Sequence, residues 1–110
     1  MTLFIKRSIT FEALISGTKT IEARIFKGFI CTLNCGNLIH ICHGNADVVF
    51  TIISITCYDT FEDMLLSIPI HNILPYVDTY EDGISLLHTY YSDRVLENNK
   101  VVAIELQKIS

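Results

Sequence analysis

The residues with the clearest chemical potential lie together in segment 17–24, which reads GTKTIEAR. Lys19, Glu22 and Arg24 place three charged groups within six positions, in a chain whose residues are only 18% charged. A carboxylate flanked by two cations can hold a purine or pyrimidine edge, a phosphate or a polarised carbonyl. Arginine offers a planar fork of donors, whereas lysine offers a point charge whose pKa can fall on burial. This segment is therefore the first candidate for a binding or catalytic site.

A β-strand over residues 20–26 would sort the side chains of this segment onto two faces. The apolar face, which we expect to meet the core, carries Ile21, Ala23 and Ile25. The opposite face carries Thr20, Glu22, Arg24 and Phe26. The strand rise places Glu22 and Arg24 roughly 7 Å apart along that face. The spacing alone also fits an exposed strand with a salt bridge worth less than about 1 kcal/mol, so the site interpretation needs support from the rest of the chain.

Length and composition predict one domain with a single buried core. The chain has 110 residues, of which 50% are hydrophobic. No apolar run approaches the roughly 20 residues that span a membrane, and the N-terminus lacks the pattern of a signal peptide. We therefore expect an intracellular protein of the cytoplasm or nucleus, neither secreted nor membrane-bound. The abundance of isoleucine hints at AT-rich coding DNA, for which a viral genome is one candidate source.

The cysteines allow a disulfide, a metal site or free thiols. There are four: Cys31, Cys35, Cys42 and Cys57. Without a signal peptide, reduced thiols buried in the core are expected rather than disulfides. His40, Cys42 and His43 add residue types that bind zinc, but strong zinc motifs show tighter paired spacings, and a strand would turn His43 away from the other two. We therefore predict no metal and no cofactor.

Charge is unevenly distributed along the chain. The formal net charge of -4 argues against a general polyanion binder. Up to Lys27, however, the chain carries five basic and two acidic residues, whereas the remainder carries three basic and ten acidic ones. Chance alone can produce such an asymmetry among so few charges. If the ligand is an anion, we expect it to meet the N-terminal third.

Periodicity and turn signals predict about five strands and three short helices. The predicted strands are 3–6, 20–26, 38–42, 47–58 and 101–109, and the predicted helices are 10–16, 61–67 and 79–91. Gly17 is placed to end the first helix, and Thr60 and Thr79 are placed to cap the other two. Strand 47–58 is apolar on both faces for much of its length, which suits a curled sheet. Because strands and helices do not alternate, the fold class is α+β with a mixed, strongly curved sheet.

The pattern Gly17-x-Lys19-x-x-Glu22-x-Arg24 resembles the signature of the ASCH domain family, a branch of the PUA-like barrels. The resemblance covers nearly the whole chain and is that of a small single-domain member. The other segments similar to family landmarks are FEALISG (11–17), YDTFEDML (58–65), LP (74–75), YYS (90–92) and VVAIEL (101–106). One such motif is weak evidence, but five in the family's order are strong.

This resemblance implies a PUA-like β-barrel with helices closing its ends and a cleft that accepts RNA or a modified nucleoside. Some bacterial members are amidohydrolases that remove acetyl from N4-acetylcytidine. By the resemblance, Lys19 would activate the nucleophile, and Glu81 is the best match for a glutamate that assists proton transfer. The nucleophile of those enzymes is a threonine three residues after the lysine. That position is Glu22 here, which cannot serve in the same way, and Thr20 lies one strand step back.

Several aromatic residues could stack bases near the predicted cleft. They are Phe26, Tyr58, Tyr80, Tyr90 and Tyr91. Packing in the core is the commoner use of such residues. Tyr58 is the one we assign to the cleft, because the long strand ends there and its hydroxyl could reach the ligand. No histidine has a Ser, Cys or carboxylate partner at a spacing diagnostic of a catalytic triad.

Three hypotheses follow. The first is a module that binds RNA or a modified nucleoside through Lys19, Thr20, Glu22, Arg24 and Tyr58. The second is an enzyme on the same ligand class, an amidohydrolase or a ribonuclease, with Lys19 as base and Glu22 or Glu81 as proton carrier. The third is a protein-interaction domain in which the motif is purely structural. We also expect Lys19→Ala to leave folding intact, because a ligand-binding side chain need not support the core.

Overall fold

The computed structural model describes residues 1–109, and its central element is one mixed sheet of five strands. The strands are β1 (Thr2–Phe4), β2 (Ile21–Ile25), β3 (Leu38–His43), β4 (Ala46–Tyr58) and β5 (Val101–Lys108). Their spatial order is β1-β3-β4-β5-β2. β1 runs parallel to β3, and every other neighbouring pair is antiparallel. The predicted α+β class and the five-stranded mixed sheet are confirmed.

Five short helices surround the sheet, two more than the sequence predicted. They are α1 (Ser8–Ser16), α2 (Phe61–Ser67), α3 (Ile70–Ile73), α4 (Tyr80–Tyr90) and α5 (Asp93–Asn98). A 3₁₀ helix also spans Gly28–Thr32. The missed elements are α3, α5 and the 3₁₀ helix, which have four, six and five residues. Segments this short show too little of the 3.6-residue period to be distinguished from loops.

Three helix termini have the capping residues that the sequence predicted. Gly17 takes the left-handed conformation at φ 82°, and its N–H donates to the Leu14 carbonyl at 3.3 Å, which ends α1 just before the charged segment. The hydroxyl of Thr60 accepts the N–H three residues on and begins α2, and the hydroxyl of Thr79 does the same for α4. Gly17 therefore places the charged segment directly after α1, and the two threonine caps fix where α2 and α4 begin.

The sheet separates two apolar clusters, so β5 is buried on both faces. The first cluster joins α1 to the concave face and includes Phe11, Leu14, Ile39, Ile41, Phe50, Ile52, Val102 and Ile104. The second packs α2, α3 and α4 against the other face of β2 and β5 and includes Ile21, Ala23, Ile25, Phe61, Met64, Ile73, Leu87 and Val101. The expected burial of the apolar face of β2 is therefore confirmed.

The sheet curls until its two edge strands approach each other without pairing. Arg24 on β2 reaches across this seam, and its Nη2 lies 3.4 Å from the main-chain oxygen of Phe4 on β1. The register of β4 against β5 shifts between Ile52 and Ser54, and irregularities of this kind increase the local twist. The result is a half-barrel, consistent with a PUA-like barrel, with a seam between β1 and β2.

The cysteines do not occupy the core as predicted. All four are free thiols, but Cys31, Cys35 and Cys57 are exposed and Cys42 is only partly buried. Cys31 lies in the 3₁₀ helix, whose buried residue is Ile30, and Cys35 lies in the turn that follows. Positions in surface turns carry no strand alternation, so the sequence could not assign their direction.

Within residues 1–109, none of the helices has both the length and the apolar character needed to cross a membrane.

Candidate functional site

Lys19, Glu22 and Arg24 form one charged cluster on β2 and the turn before it. Lys19 Nζ lies 3.3 Å from Glu22 Oε1, and Arg24 Nη2 lies 3.1 Å from Glu22 Oε2. The Arg24 Nε also donates to that second oxygen, at 3.4 Å. Alternation along β2 puts Glu22 and Arg24 on the concave face, opposite Ile104 and Val102 of β5. Each carboxylate oxygen of Glu22 therefore faces a different cation.

Lys19 is a buried ammonium with a full set of partners. Its side chain is 1% exposed. Besides Glu22, its Nζ donates to the main-chain oxygens of Ile21 and Ile73, both at 2.6 Å. Three acceptors match the three N–H groups of an ammonium and leave no lone pair for a general base. Lys19 thus ties β2 to the end of α3, and the expectation that Lys19→Ala leaves folding intact has no support in this geometry.

The charge state of the pair follows from burial and from the flanking cations. Burial by itself raises the pKa of Glu22, but the charges of Lys19 and Arg24 outweigh it and hold that pKa below its ordinary value. For Lys19, burial is the larger effect and lowers the pKa, while Glu22 opposes it. The three acceptors around Nζ are those an ammonium requires, so Lys19 and Glu22 form an ion pair at neutral pH.

Arg24 connects the buried pair to solvent. Its side chain is 29% exposed. Its Nε and Nη2 both donate to Glu22, and Nη2 also donates to the Phe4 carbonyl. Nη1 has no hydrogen-bond partner among the described residues. Arg24 is therefore neither fully buried nor fully paired, and it can still donate to a ligand.

A cleft of about 400 Å³ opens along the seam between β1 and β2 and contains all three charged residues. Basic residues at the end of β1 and the start of α1, Lys6 and Arg7, form its rim. Its aromatic lining comprises Phe4, Tyr76, Tyr90 and Tyr91, and its apolar lining includes Ile73, Leu74 and Leu87. Four basic residues and one acidic residue line the cleft, although the whole chain carries a net charge of -4.

Two of the tyrosines that line the cleft are fixed by contacts with neighbouring side chains. The Arg7 guanidinium lies over the Tyr90 ring, 4.7 Å from its centroid. The Tyr76 hydroxyl lies 3.1 Å from the hydroxyl of Thr10 on α1. Burial and the neighbouring Tyr76 raise the pKa of Tyr90. Burial also raises the pKa of Tyr91. These phenols therefore stay neutral and can both donate and accept a hydrogen bond at physiological pH.

Three residues assigned to the site from the sequence do not line this cleft. Glu81 lies in the exposed first turn of α4, two residues before the buried Gly83 and so on the other side of the helix. Tyr58 pairs with Val101 and packs on the second apolar cluster. The main chain of Thr20 is bonded between α3 and β5. The sequence could not place Glu81 and Tyr58 relative to this cleft, because the packing of α4 and the position of the C-terminal end of β4 depend on residues far away in the chain.

The structure also adds cleft residues that sequence reasoning missed. Phe4 lies on β1, Tyr76 on the segment between α3 and α4, and Thr10 on α1. The local surplus of basic residues already pointed to Lys6 and Arg7. No comparable signal marked the other three, because only the curling of the sheet brings β1 next to β2.

Within residues 1–109, no group of three or more His, Cys, Asp or Glu side chains is arranged to hold a metal ion. His40 instead pairs with Asp47, with Nδ1 2.9 Å from Oδ1, and His43 Nδ1 lies 2.8 Å from the Ile5 carbonyl. Both histidines therefore have partners within the protein.

No protein-family model matches this chain, and no curated protein matches it either. Two solved structures are similar to it over almost its entire length. The crystal structure of hypothetical protein PH0355 has a TM-score of 0.84 at 25% identity, covering 98% of this chain and 97% of that one. The solution NMR structure of Protein PF0455 from Pyrococcus furiosus has a TM-score of 0.78 at 25% identity, covering 100% and 99%. Both similarities support the fold and extend it to the full chain.

Proposed function

We propose that the seam cleft binds RNA or a modified nucleoside. The observation that carries this proposal is the buried Glu22 carboxylate, held ionised between Lys19 and Arg24 inside a cleft with aromatic walls and a basic rim. The resemblance of segment 17–24 to the ASCH signature supports the same ligand class. A cleft of about 400 Å³ is within the usual range for small-molecule sites.

The polar groups of the cleft suit the edge of a base. An ionised carboxylate accepts hydrogen bonds only, so Glu22 selects for an N–H on the ligand. The unpaired Nη1 of Arg24 donates, and it suits a carbonyl or a phosphate oxygen. Together they favour a ligand that carries donors and acceptors on one planar edge.

The aromatic residues suit the faces of the same ligand. Phe4, which is 71% exposed, stands at the mouth of the cleft, and Tyr90 and Tyr91 line it from the end of α4. Stacking on aromatic side chains is the usual way in which unpaired bases are held, at about 1–3 kcal/mol per base. Lys6 and Arg7 at the rim then lie where the phosphates of an RNA chain would leave the cleft.

The hydrolase hypothesis has less support. Lys19 has all three N–H groups engaged and offers no lone pair, Glu22 occupies the position of the nucleophile, and Glu81 lies outside the cleft. The purely structural hypothesis accounts for Lys19, which joins β2 to α3. It does not account for the exposure of Arg24 or for the aromatic lining of the cleft.

Titration calorimetry with uridine, cytidine, N4-acetylcytidine, guanosine and a single-stranded hexaribonucleotide tests the proposal. We expect at least one of these ligands to bind the wild type. We expect Arg24→Ala to weaken that binding at least tenfold. The matched control is Lys27→Ala, an exposed cation three residues on that does not line the cleft. Equal losses for the two variants, or no binding by the wild type, would refute the proposal.

A product assay separates binding from hydrolysis. The protein is incubated with N4-acetylcytidine and with the hexaribonucleotide, and the products are resolved by chromatography. We expect both substrates to be recovered intact. Release of acetate or of shorter RNA that Arg24→Ala abolishes would replace the binding proposal with an enzymatic one.

A further inference from the structure

The main chain of β2 has an open edge that faces the seam. In an antiparallel ladder, successive residues alternate between bonding to the partner strand and pointing away from it. The Leu106 N–H donates to the Thr20 carbonyl at 2.8 Å, and the Phe26 N–H donates to the Lys100 carbonyl at 2.9 Å. The register between these two pairs is continuous. The N–H and C=O groups of Ile21, Ala23 and Ile25 therefore point away from β5.

The protein itself satisfies outward groups on either side of Ala23. Lys19 Nζ donates to the Ile21 carbonyl at 2.6 Å. The Ile25 carbonyl accepts the N–H of the second residue after it, at 3.0 Å. The Ile25 N–H lies against the Tyr91 hydroxyl, whose pKa is raised chiefly by burial and lowered in part by this contact. These contacts confirm the outward direction of the groups at both neighbouring positions.

Ala23 lies between them without such a contact. It lines the cleft and is only 9% exposed. Within residues 1–109, the alternation leaves its N–H and C=O without a main-chain partner, and no side chain bonds to either group. Buried main-chain polar groups are almost always paired with protein, water or ligand, because an unpaired one is costly. An unpaired donor and an unpaired acceptor next to each other in a cleft are groups that a ligand can pair with.

We propose that the main chain of Ala23 reads the Watson–Crick edge of the bound base. The Ala23 N–H would donate to a ring nitrogen or carbonyl oxygen of the base, and the Ala23 carbonyl would accept the adjacent N–H. This inference rests on the proposed function and deepens it. Every standard base carries a donor next to an acceptor on that edge, so the contact tolerates different bases. It rejects bases whose edge is blocked, and it requires an unpaired base, as RNA-binding modules usually do.

Ligand pairs that differ by one methyl group test this inference. Uridine is compared with 3-methyluridine, and guanosine with 1-methylguanosine, by titration calorimetry on the wild-type chain. In each pair the methyl group replaces the ring N–H that the Ala23 carbonyl would accept. We expect the methylated member of any pair that binds to be at least tenfold weaker. Equal affinities within a pair that binds would overturn the inference and leave the proposed function intact.

A second test of the inference changes the main chain itself. Replacing Ala23 with lactic acid by semisynthesis converts its N–H to an ester oxygen and retains the methyl side chain. We expect about tenfold weaker binding of the ligand that the wild type binds best. The matched control is the same amide-to-ester change at Thr2, whose N–H faces the open side of the other edge strand and which does not line the cleft. Unchanged affinity at Ala23 would overturn the inference, and no binding by the wild type would overturn it together with the proposed function.

Discussion

At the scale of single residues, the charged motif divides into a structural part and an accessible part. The buried Lys19 ammonium bonds to Glu22 and to two main-chain carbonyls. It therefore orients the carboxylate and joins β2 to α3. Arg24 holds the other oxygen of the same carboxylate and still reaches solvent. One short motif therefore combines a support for the fold with a group that reaches solvent, and the proposed function assigns ligand contact to the second.

Replacing Lys19 with Met should destabilise the fold. The change removes a buried cation and leaves Oε1 of the buried Glu22 carboxylate without its charge partner, and breaking a buried pair on one side typically costs about 3–5 kcal/mol. We expect the double variant Lys19→Met/Glu22→Leu to lose less than the sum of the two single changes, because no buried charge then stays unpaired. Urea unfolding of the three variants measures this. Strict additivity, or a stable Lys19→Met, would contradict the buried pair.

The acid sensitivity of the fold should depend on Glu22. Its pKa lies below the ordinary 4.5, so its contribution to stability is complete above the unfolded-state pKa and is lost as pH falls through the lower folded value. We expect the free energy of unfolding to fall below about pH 4.5 more steeply in the wild type than in Glu22→Gln. Glu12→Gln, at an exposed site on α1, is the control and should keep the wild-type slope. Parallel slopes for the wild type and Glu22→Gln would rule out this linkage.

At the scale of elements, the cleft depends on helices that the sequence barely signals. The four-residue α3 supplies the Ile73 carbonyl that holds Lys19, and α4 packs directly on α3. A Cβ built at Gly83 of α4 would lie 2.7 Å from Ile70 Cγ1, so the glycine permits this close approach. From the sequence, Gly83 only weakens its helix. In the fold it allows α4 to support the element that positions the site.

Substituting Gly83 with Ala should therefore lower stability even though alanine favours helix. The gain in helix propensity is about 1 kcal/mol, whereas overpacking against Ile70 typically costs about 1–3 kcal/mol, for an expected net loss of about 1 kcal/mol. Ser85→Ala, on an exposed position of the same helix, should be neutral or slightly stabilising. Urea midpoints of the two variants give the comparison. A Gly83→Ala variant more stable than the wild type would show that Ile70 yields without cost.

At the scale of the whole molecule, the half-barrel concentrates positive charge in one place. The chain carries a net charge of -4, yet the cleft is lined by Lys6, Arg7, Lys19 and Arg24 against the single carboxylate of Glu22. The incomplete closure of the sheet between β1 and β2 creates that cleft. An anionic ligand is thus attracted to the seam and repelled by the rest of the surface.

RNA binding should accordingly show a shallow dependence on salt. Each phosphate contact contributes a slope of roughly -0.7 to the plot of log affinity against log salt for single strands. If Lys6 and Arg7 contact one phosphate each, their joint replacement by Ala should flatten the slope for the hexaribonucleotide by roughly 1.4. Lys108→Ala, outside the cleft, should leave it unchanged. Equal flattening in both variants would indicate nonspecific attraction.

Local chemistry was sufficient for the parts of this protein that depend on a few neighbouring residues. The end of α1 at Gly17, the Thr60 and Thr79 caps, the inward face of β2 and the convergence of Glu22 with Arg24 all follow from alternation and capping, which act over one to four positions. The same reasoning placed Glu81 and Tyr58 in the site and expected Lys19 to be dispensable for folding. The structure places Glu81 and Tyr58 outside the seam cleft and surrounds Lys19 with acceptors. These features depend on which side of α4 is buried, where β4 ends in space and which carbonyls surround an ammonium.

The sequence alone determined that the chain is an α+β protein with a charged strand, because the spacing of apolar residues along the chain shows the periods of strands and helices. Only the tertiary structure decided that this strand borders an open seam and that Phe4 and Tyr76, 72 positions apart in the sequence, both face it. It also decided that, in the described part of the chain, Ala23 has no main-chain partner there. The physical reason is that a curled sheet brings its two edge strands, β1 and β2, together through the packing of every strand between them. No local pattern encodes that closure.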